Sequence, residues 1–295
     1  MVEAVMLWNE PNNLAHWNFT LDPDWALFAR MISCAAQAIR AENASLPIAL
    51  GGISPIDPWF IQNMRSKGAL EHMDIVAVHG FPFDWNHWTV REWPDKITLI
   101  GELARKSVWV TEAGVSTFGA DEIQEIGLKL TAPILLDHAK RVYWYSLFDL
   151  PRSWEAVAHR PQAQDSEYMR HFHMGLLRQD GTSKASCRLF ADYTPELGIC
   201  QWFHLHDHRL RSAVRWMKRL GVKRLRTGLS WADSLADGGP QWYDLLMRTV
   251  EPFDTCITFC FTPESKGIVP HHTSPPKKIE EFASFCASMV RRYAG

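Results

Sequence analysis

The chain has 295 residues, of which 46% are hydrophobic and 22% are charged, and its formal net charge is −2. One large α/β domain of about 250 residues accounts for most of this length. The charge balance excludes the basic surface of a typical nucleic-acid-binding protein and the composition of a disordered chain. We therefore expect a globular protein whose partner carries little or no charge.

The spacing of the cysteines and the lengths of the apolar stretches indicate in which compartment the protein is expected. The six cysteines are scattered without a C-x-x-C pair, so we expect reduced thiols. The N-terminal ten residues carry two acids where a secretory signal would be basic, and no stretch reaches the roughly 18 apolar residues of a membrane span. We expect a soluble, cytoplasmic protein that binds neither nucleic acid nor membrane. No pattern predicts an oligomeric state.

Short β-branched or aromatic runs alternate with longer stretches of helical periodicity along the chain. Eight runs are predicted to be strands, namely residues 4–8, 48–52, 75–79, 108–111, 142–147, 198–203, 224–230 and 255–261. The stretches between them carry apolar stripes, as in the segment with Trp25, Phe28, Ile32, Ala35 and Ile39. This alternation predicts an α/β fold in which a parallel sheet closes into a (β/α)8 TIM barrel.

Two glutamates directly follow predicted strands. Glu10 lies in Trp-Asn-Glu-Pro-Asn at positions 8–12, and Glu112 lies in Trp-Val-Thr-Glu-Ala-Gly at positions 109–114. Residues after the strands of an α/β barrel share one mouth, where the active sites of such enzymes are found. Since three βα units separate the two glutamates, we expect their carboxylates to face each other and to flank one glycosidic bond.

Both motifs resemble the catalytic signatures of glycoside hydrolase clan A, whose acid/base follows the fourth barrel strand and whose nucleophile follows the seventh. The stretch Arg-Leu-Arg-Thr-Gly-Leu-Ser-Trp at positions 224–231 is similar to the second strand of these enzymes. Thr262-Pro263 and Ser274-Pro275-Pro276 resemble the third strand and exit loop of β-xylosidase-like members of family 39. The resemblance implies a retaining O-glycosyl hydrolase with a carbohydrate substrate. We expect no cofactor and no metal ion.

The order of these segments differs from that of the family. Segments that resemble strands one to three follow those that resemble strands four to eight, which predicts a circular permutation with the chain beginning at barrel strand 4. One barrel domain, 1–295, then comprises strands four to eight (1–184), helix eight and the join (185–197), and strands one to three (198–295). A closed barrel tolerates this because its last helix packs beside its first strand.

The resemblance also implies roles for the polar residues at the mouth. Glu10 is expected to hold its proton near neutral pH as acid/base, while ionised Glu112 attacks the anomeric carbon. Asn9 would donate a hydrogen bond to the sugar 2-hydroxyl. Arg226, if it lies beside Glu112, would favour the ionised carboxylate. His79 follows the strand whose counterpart in the family often carries a histidine near the nucleophile, although a core histidine is nearly as good an interpretation.

Aromatic residues near strand ends are candidates for stacking on a sugar ring. Trp144 resembles the eighth-strand tryptophan that forms the floor of the sugar subsite in this clan, and Trp231 and Trp202 are weaker candidates of the same kind. Core packing is the alternative for each.

Two other functions stay open from the sequence. The run His-Leu-His-Asp-His at positions 204–208, with His79 and Asp149, is typical of a metal-dependent amidohydrolase that uses His204 and His206 as ligands. Against it, the predicted strand 48–52 is followed by no histidine. A barrel that binds carbohydrate without catalysis is the second alternative, because a fold does not determine a function. Neither the sugar, the linkage nor exo against endo action follows from the sequence.

Overall fold

A computed structural model describes residues 1–152 and 166–294, in which eight parallel strands form a closed barrel, each pairing with its neighbours in chain order. The strands are β1 (Val2–Leu7), β2 (Ile48–Ile53), β3 (Ile75–Gly80), β4 (Ser107–Ala113), β5 (Val142–Tyr145), β6 (Leu197–Cys200), β7 (Arg224–Ser230) and β8 (Asp254–Cys260). The predicted (β/α)8 barrel is confirmed.

Helices cover the outside of the barrel between the strands. They are α1 (Ala26–Glu42), α2 (Pro58–Ser66), α3 (Trp93–Ala104), α4 (Asp121–His138), α5 (Ser166–Arg170), α6 (Ala185–Phe190), α7 (Leu210–Arg219), α8 (Gly239–Val250) and α9 (Ile279–Tyr293). Asp22 stabilises the start of α1, because its carboxylate accepts hydrogen bonds of 2.9 Å from the amides of Leu27 and Phe28. The predicted stripe of α1 is buried from Phe28 to Ile39.

The barrel closes between its first and last strands. Val5 of β1 pairs with Ile48 of β2 on one side and with Ile257 of β8 on the other. The N-terminal amine donates to the backbone carbonyls of Glu251 and Phe253, at 3.2 and 2.9 Å. The first strand therefore lies between β8 and β2, as closure of the barrel requires.

Side chains alternate between two apolar layers along each strand. Tyr143 of β5 packs inside the barrel with Met6 and Cys256, whereas Trp144 packs between the barrel and the helices. All six cysteines are free thiols. Within residues 1–152 and 166–294, no helix is long and apolar enough to span a bilayer.

Candidate active site

The chain turns sharply where β1 ends. Trp8 and Glu10 have φ angles of 70° and 42°, in the left-handed region that residues other than glycine seldom adopt. The amide of Glu10 donates a 3.1 Å hydrogen bond to the carbonyl of Gly52, which ties the turn to β2. Backbone conformations of this kind persist where the surroundings enforce them, and they concentrate at functional sites.

The carboxylate of Glu10 is buried among two imidazoles and an amide. Its Oε1 lies 2.9 Å from Nδ1 of His79, and its Oε2 accepts a 2.9 Å hydrogen bond from Asn13 and lies 3.2 Å from Nε2 of His16. Burial raises the pKa of Glu10, but His16 and His79 together outweigh burial and hold that pKa well below its usual range. These contacts favour the ionised form of Glu10 in the free site, so the proton that Glu10 is expected to hold near neutral pH stays a prediction.

Glu112 lies near the end of β4, on the inner side of the barrel and opposite Glu10. Arg226 of β7, which is 1% exposed, forms an ion pair with Glu112 through Nη1 and donates a 2.6 Å hydrogen bond from Nη2 to Oδ1 of Asn9. One carboxylate oxygen of each glutamate and Nδ1 of His79 lie within 4.8 Å of one another. Five residues singled out from the sequence thus form one contiguous polar group.

Asn9 is oriented by its two neighbours in this group. Because its Oδ1 accepts from Arg226, its amide nitrogen faces away from β7 and lies 3.4 Å from Nδ1 of His16. The NH2 group of an asparagine side chain has two N–H donors, so the contact with His16 leaves the second one for a hydroxyl at the mouth.

His79 lies between the two carboxylates. Its Nδ1 is 2.9 Å from Oε1 of Glu10 and 3.7 Å from Oε1 of Glu112, and its Nε2 is 2.9 Å from the hydroxyl of Thr111. A Cβ atom on Gly52 would come within 1.9 Å of Nε2, so the imidazole packs directly on the backbone of β2. The ring is therefore held by β2 below and by Thr111 beside it.

The predicted sugar-stacking role of Trp144 requires correction. Trp144 is fully buried between the barrel and the helices, and its neighbour Tyr145 is the residue that points to the mouth. Burial, followed by the nearby carboxylate of Glu112, raises the pKa of Tyr145 well above its usual range. Since successive side chains of a strand face opposite sides, an error of one residue exchanges the core for the site.

Trp231 also differs from the prediction, whereas Trp202 lies near the mouth. Trp231 is 3% exposed and packs on Phe282 and Phe285 of α9, with ring centroids 5.6 and 6.3 Å apart. Trp202 is half-buried, and a Cβ on Gly228 would come within 1.9 Å of its ring. Gly228 shares the inner face of β7 with Arg226, so the Trp202 ring lies one layer above the polar group.

Two groups of partly exposed rings flank the carboxylates. On one side, the ring of Phe261 lies 6.0 Å from that of Trp202 and 6.1 Å from that of His16, on which it stacks. On the other side, Trp85 stacks on His171 with centroids 5.3 Å apart, and Nε2 of His171 is 3.4 Å from the hydroxyl of Tyr145. Flat apolar faces of this kind suit the hydrophobic face of a pyranose.

The histidine run at positions 204–208 does not join this site. His206 is exposed beside the ring of Trp242, and Asp207 forms an ion pair of 2.8 Å with Arg209. Asp149 is engaged by Lys184 at 2.6 Å. Within the part of the chain that the structure describes, the group of His, Cys, Asp and Glu gathered closely enough to hold a metal ion comprises Glu10, His79 and Glu112. Within these residues, the histidine run therefore does not gather with His79 and Asp149.

Two of the residues around Glu10 were missed from the sequence. Asn13 and His16 lie in the same exit loop as Glu10, where the backbone bends back through hydrogen bonds from the amides of Asn13 to Glu10 and of His16 to Asn13, both 2.9 Å. Their position within eight residues of the end of the predicted strand 4–8 was the available signal.

No family model matches the sequence, and no curated protein matches it. Among solved structures, a fungal β-1,4-galactanase is 17% identical over 55% of this chain and 53% of its own, with a TM-score of 0.40. The β-glucuronidase of Bacteroides uniformis is 12% identical over 67% of this chain and 22% of its own, with a TM-score of 0.39. The endo-β-1,4-glucanase of Xanthomonas axonopodis pv. citri is 13% identical over 81% and 91%, with a TM-score of 0.37. These structural neighbours are glycoside hydrolases, and the chain spans about half of the galactanase chain and under a quarter of the glucuronidase chain.

Proposed function

We propose that the protein is a retaining glycoside hydrolase that cleaves O-glycosidic bonds, with Glu112 as nucleophile and Glu10 as acid/base. The observation that carries this proposal is the pair of carboxylates at the barrel mouth, whose nearest oxygens belong to a group within 4.8 Å. Retaining enzymes separate their carboxyl groups by about 5–5.5 Å, and inverting enzymes by about 6.5–9.5 Å to admit a water. Nearest oxygens within 4.8 Å of each other are compatible with the retaining range, and this supports direct attack on the anomeric carbon.

The surroundings of each glutamate support the division of roles. Glu112 is paired with Arg226, which suits a residue that reacts as an anion. Glu10 contacts His79 and His16, whose imidazoles can deliver and accept protons. In the first step an oxygen of Glu112 bonds to the anomeric carbon, the bond to the leaving oxygen breaks, and Glu10 protonates that oxygen. In the second step Glu10 removes a proton from water, whose oxygen displaces Glu112.

The low pKa of Glu10 raises the question of where the proton for the first step resides. A proton on Nδ1 of His79 lies in a 2.9 Å hydrogen bond to Oε1 of Glu10, and it can move along this bond as charge develops on the leaving oxygen. A sugar that covers the mouth also excludes water, which strengthens the effect of burial and raises the pKa of Glu10 toward the value that an acid requires.

We further propose that the remaining residues of the group bind the sugar. Asn9 would donate its free amide proton to the 2-hydroxyl, a contact that strengthens in the transition state. Tyr145 takes the place that the sequence assigned to Trp144, and Trp202 remains a candidate while Trp231 does not, because Tyr145 and Trp202 are half-buried near the mouth.

The segment order leads us to propose a circularly permuted relative of clan A, closest in its motifs to family 39. Glu10 follows β1 and Glu112 lies at the end of β4, the same separation as between the fourth and seventh strands of the clan. Met1 and Tyr293 line one surface cavity, so a short linker can join the two ends. A chain joined there and opened between Pro195 and Glu196 should form the same barrel by circular dichroism and keep its activity. Failure of the rejoined chain to fold would contradict the permutation.

A panel of activated aryl glycosides tests the function together with the sugar. Glu112→Ala should abolish turnover on every substrate that the native enzyme accepts, and azide should restore it with a glycosyl azide of inverted configuration. Glu10→Ala should spare the first step for good leaving groups, slow the second, and give a glycosyl azide of retained configuration.

The same panel separates the glycosidase from a carbohydrate-binding barrel. A protein that binds sugars by calorimetry but hydrolyses none of the aryl glycosides would be such a barrel. Two alanine variants that behave identically with azide would overturn the assigned roles.

A further inference from the structure

We propose that Glu10, His79 and Glu112 together bind one divalent transition-metal ion, with Zn²⁺ as the probe, and that the ion reversibly blocks catalysis. The three ligand atoms come from different strands and converge within 4.8 Å of one another. They are one imidazole nitrogen and two carboxylate oxygens, which is a common donor set for Zn²⁺ in proteins.

The separations between the ligand atoms fit a shared ion. Zn²⁺ lies about 2.0–2.2 Å from nitrogen and oxygen ligands, so two ligands at a tetrahedral angle are roughly 3.4 Å apart. Nδ1 of His79 lies 2.9 Å from Oε1 of Glu10 and 3.7 Å from Oε1 of Glu112, on either side of that value. Small rotations of the two carboxylates would place all three atoms around one ion.

Hydrogen bonds to the side-chain atoms that do not face the ion hold His79 and Glu10 in this arrangement. Binding of the ion would displace the proton that Nδ1 of His79 shares with Glu10, while Nε2 keeps its proton and donates to the hydroxyl of Thr111, 2.9 Å away. Asn13 orients Glu10 through the oxygen that does not face His79. Hydrogen bonds of this kind to the outer atoms of ligands typically set the affinity of metal sites in proteins.

The donor atoms, the neighbouring charge and the exposure of the site determine which metal ions it would bind. Ca²⁺ and Mg²⁺ favour six or more oxygen ligands, so one imidazole with two carboxylates selects Zn²⁺, Cu²⁺ or Ni²⁺ instead. The side chain of Glu112 is 13% exposed toward the mouth, which leaves access for a water ligand. The guanidinium of Arg226 next to Glu112 opposes a second cation, so binding should be reversible rather than permanent.

Occupation by a metal ion would remove both catalytic groups at once. A Glu112 oxygen bound to the ion cannot attack carbon, and a bound Glu10 oxygen cannot carry the proton. Zn²⁺ should therefore inhibit in competition with substrate. This inhibition rests on the proposed glycosidase function, whereas the binding of the ion does not.

Calorimetric titration of the chelator-treated full chain with ZnCl₂ tests the site directly. The native chain should bind one equivalent, and Glu112→Gln and His79→Asn should each weaken binding at least about tenfold. His138→Asn, which removes an exposed histidine at the end of α4, should bind as the native chain does. Glu112→Gln has the shape of the native side chain, so it tests the site even if His79→Asn destabilises the barrel. Native affinity in both ligand variants, or no binding by the native chain, overturns the site.

Aryl glycoside turnover with added Zn²⁺ tests the blocking effect. Inhibition that a chelator reverses, at the Zn²⁺ concentration of the calorimetric midpoint, supports it. Full turnover with the ion bound overturns the blocking effect and leaves the proposed glycosidase intact. Zn²⁺ binding by a chain that hydrolyses no glycoside overturns the glycosidase and the inhibition, but supports the site.

Discussion

Replacement of His16 by asparagine should change the pH dependence of catalysis in a direction that the structure defines. Nε2 of His16 lies 3.2 Å from Oε2 of Glu10, and the two side chains are 23% and 11% exposed, so water screens their interaction only in part. A hydrogen bond to a charged group contributes about 1.5–3 kcal/mol. We take the lower end because of the exposure of His16, which corresponds to roughly a tenfold effect on the protonation of Glu10.

The pKa of Glu10 should rise when His16 is replaced. His16 lowers the pKa of Glu10, and asparagine cannot carry a positive charge, so the pKa of Glu10 rises in the variant. Protonated Glu10 then persists to higher pH. An alkyl glycoside needs the proton for its leaving group, so the alkaline limb of kcat/KM should move to higher pH, with a gain of up to about tenfold on that limb.

The assay compares full pH profiles of kcat/KM for an alkyl glycoside and for an aryl glycoside with a good leaving group. The leaving group of the aryl glycoside needs no protonation, so the alkaline limb of its kcat/KM profile should be the same in His16→Asn and in the native enzyme. His272→Asn is the matched control, because His272 packs on Phe261 at the same mouth and burial lowers its pKa to about 4. The control therefore removes an imidazole without removing a charge at neutral pH. Identical alkaline limbs in His16→Asn and the native enzyme would refute the reasoning.

Other substitutions separate the site from the core. Gly52→Ala should lower kcat/KM at least about tenfold, because the new methyl group displaces His79. Steady-state turnover of an aryl glycoside measures this loss. Trp202→Ala should raise KM for every glycoside severalfold in steady-state kinetics with little change in denaturation midpoint. Trp144→Ala should instead lower the free energy of unfolding by about 3–5 kcal/mol in urea denaturation, because it empties a fully buried position; an unchanged midpoint would contradict its place in the core.

The barrel was predictable because alternation of strands and helices is a local property of the sequence. All eight predicted strands exist; the segment 224–230 agrees at both ends, and the other seven differ at one or both ends by one to three residues. The fifth was predicted as 142–147 and ends at Tyr145, because the amide of Ser146 bonds to the carbonyl of Met174 and leaves the sheet. The partner of an amide at a strand end is distant in sequence, so no local pattern can locate it.

The positions of three polar residues at the mouth were predictable from strand ends. Asn9, Glu10 and Glu112 lie at or just beyond the ends of strands, and such residues share the mouth of a barrel. Arg226 is the third residue of β7, and only the resemblance of its strand to the family pointed to it. The aromatic residues were not predictable to the same degree. Trp144 and Tyr145 are adjacent on β5, and only the register of that strand decides which ring faces the sugar.

The protonation of Glu10 shows why position alone does not determine chemistry. The motif around Glu10 predicts a carboxyl group at the mouth, and burial by itself would raise its pKa, as an acid catalyst requires. The exit loop opposes burial, because it returns the imidazole of His16 to within 3.2 Å of the carboxylate, and His79 lowers the pKa of Glu10 as well. The same motif followed by a different loop would lose the contribution of His16, so the pKa of Glu10 would lie higher. A residue that sets the pKa of Glu10 therefore lies outside the motif, in a loop whose path depends on long-range contacts such as that of the Asn18 amide with the carbonyl of Thr273.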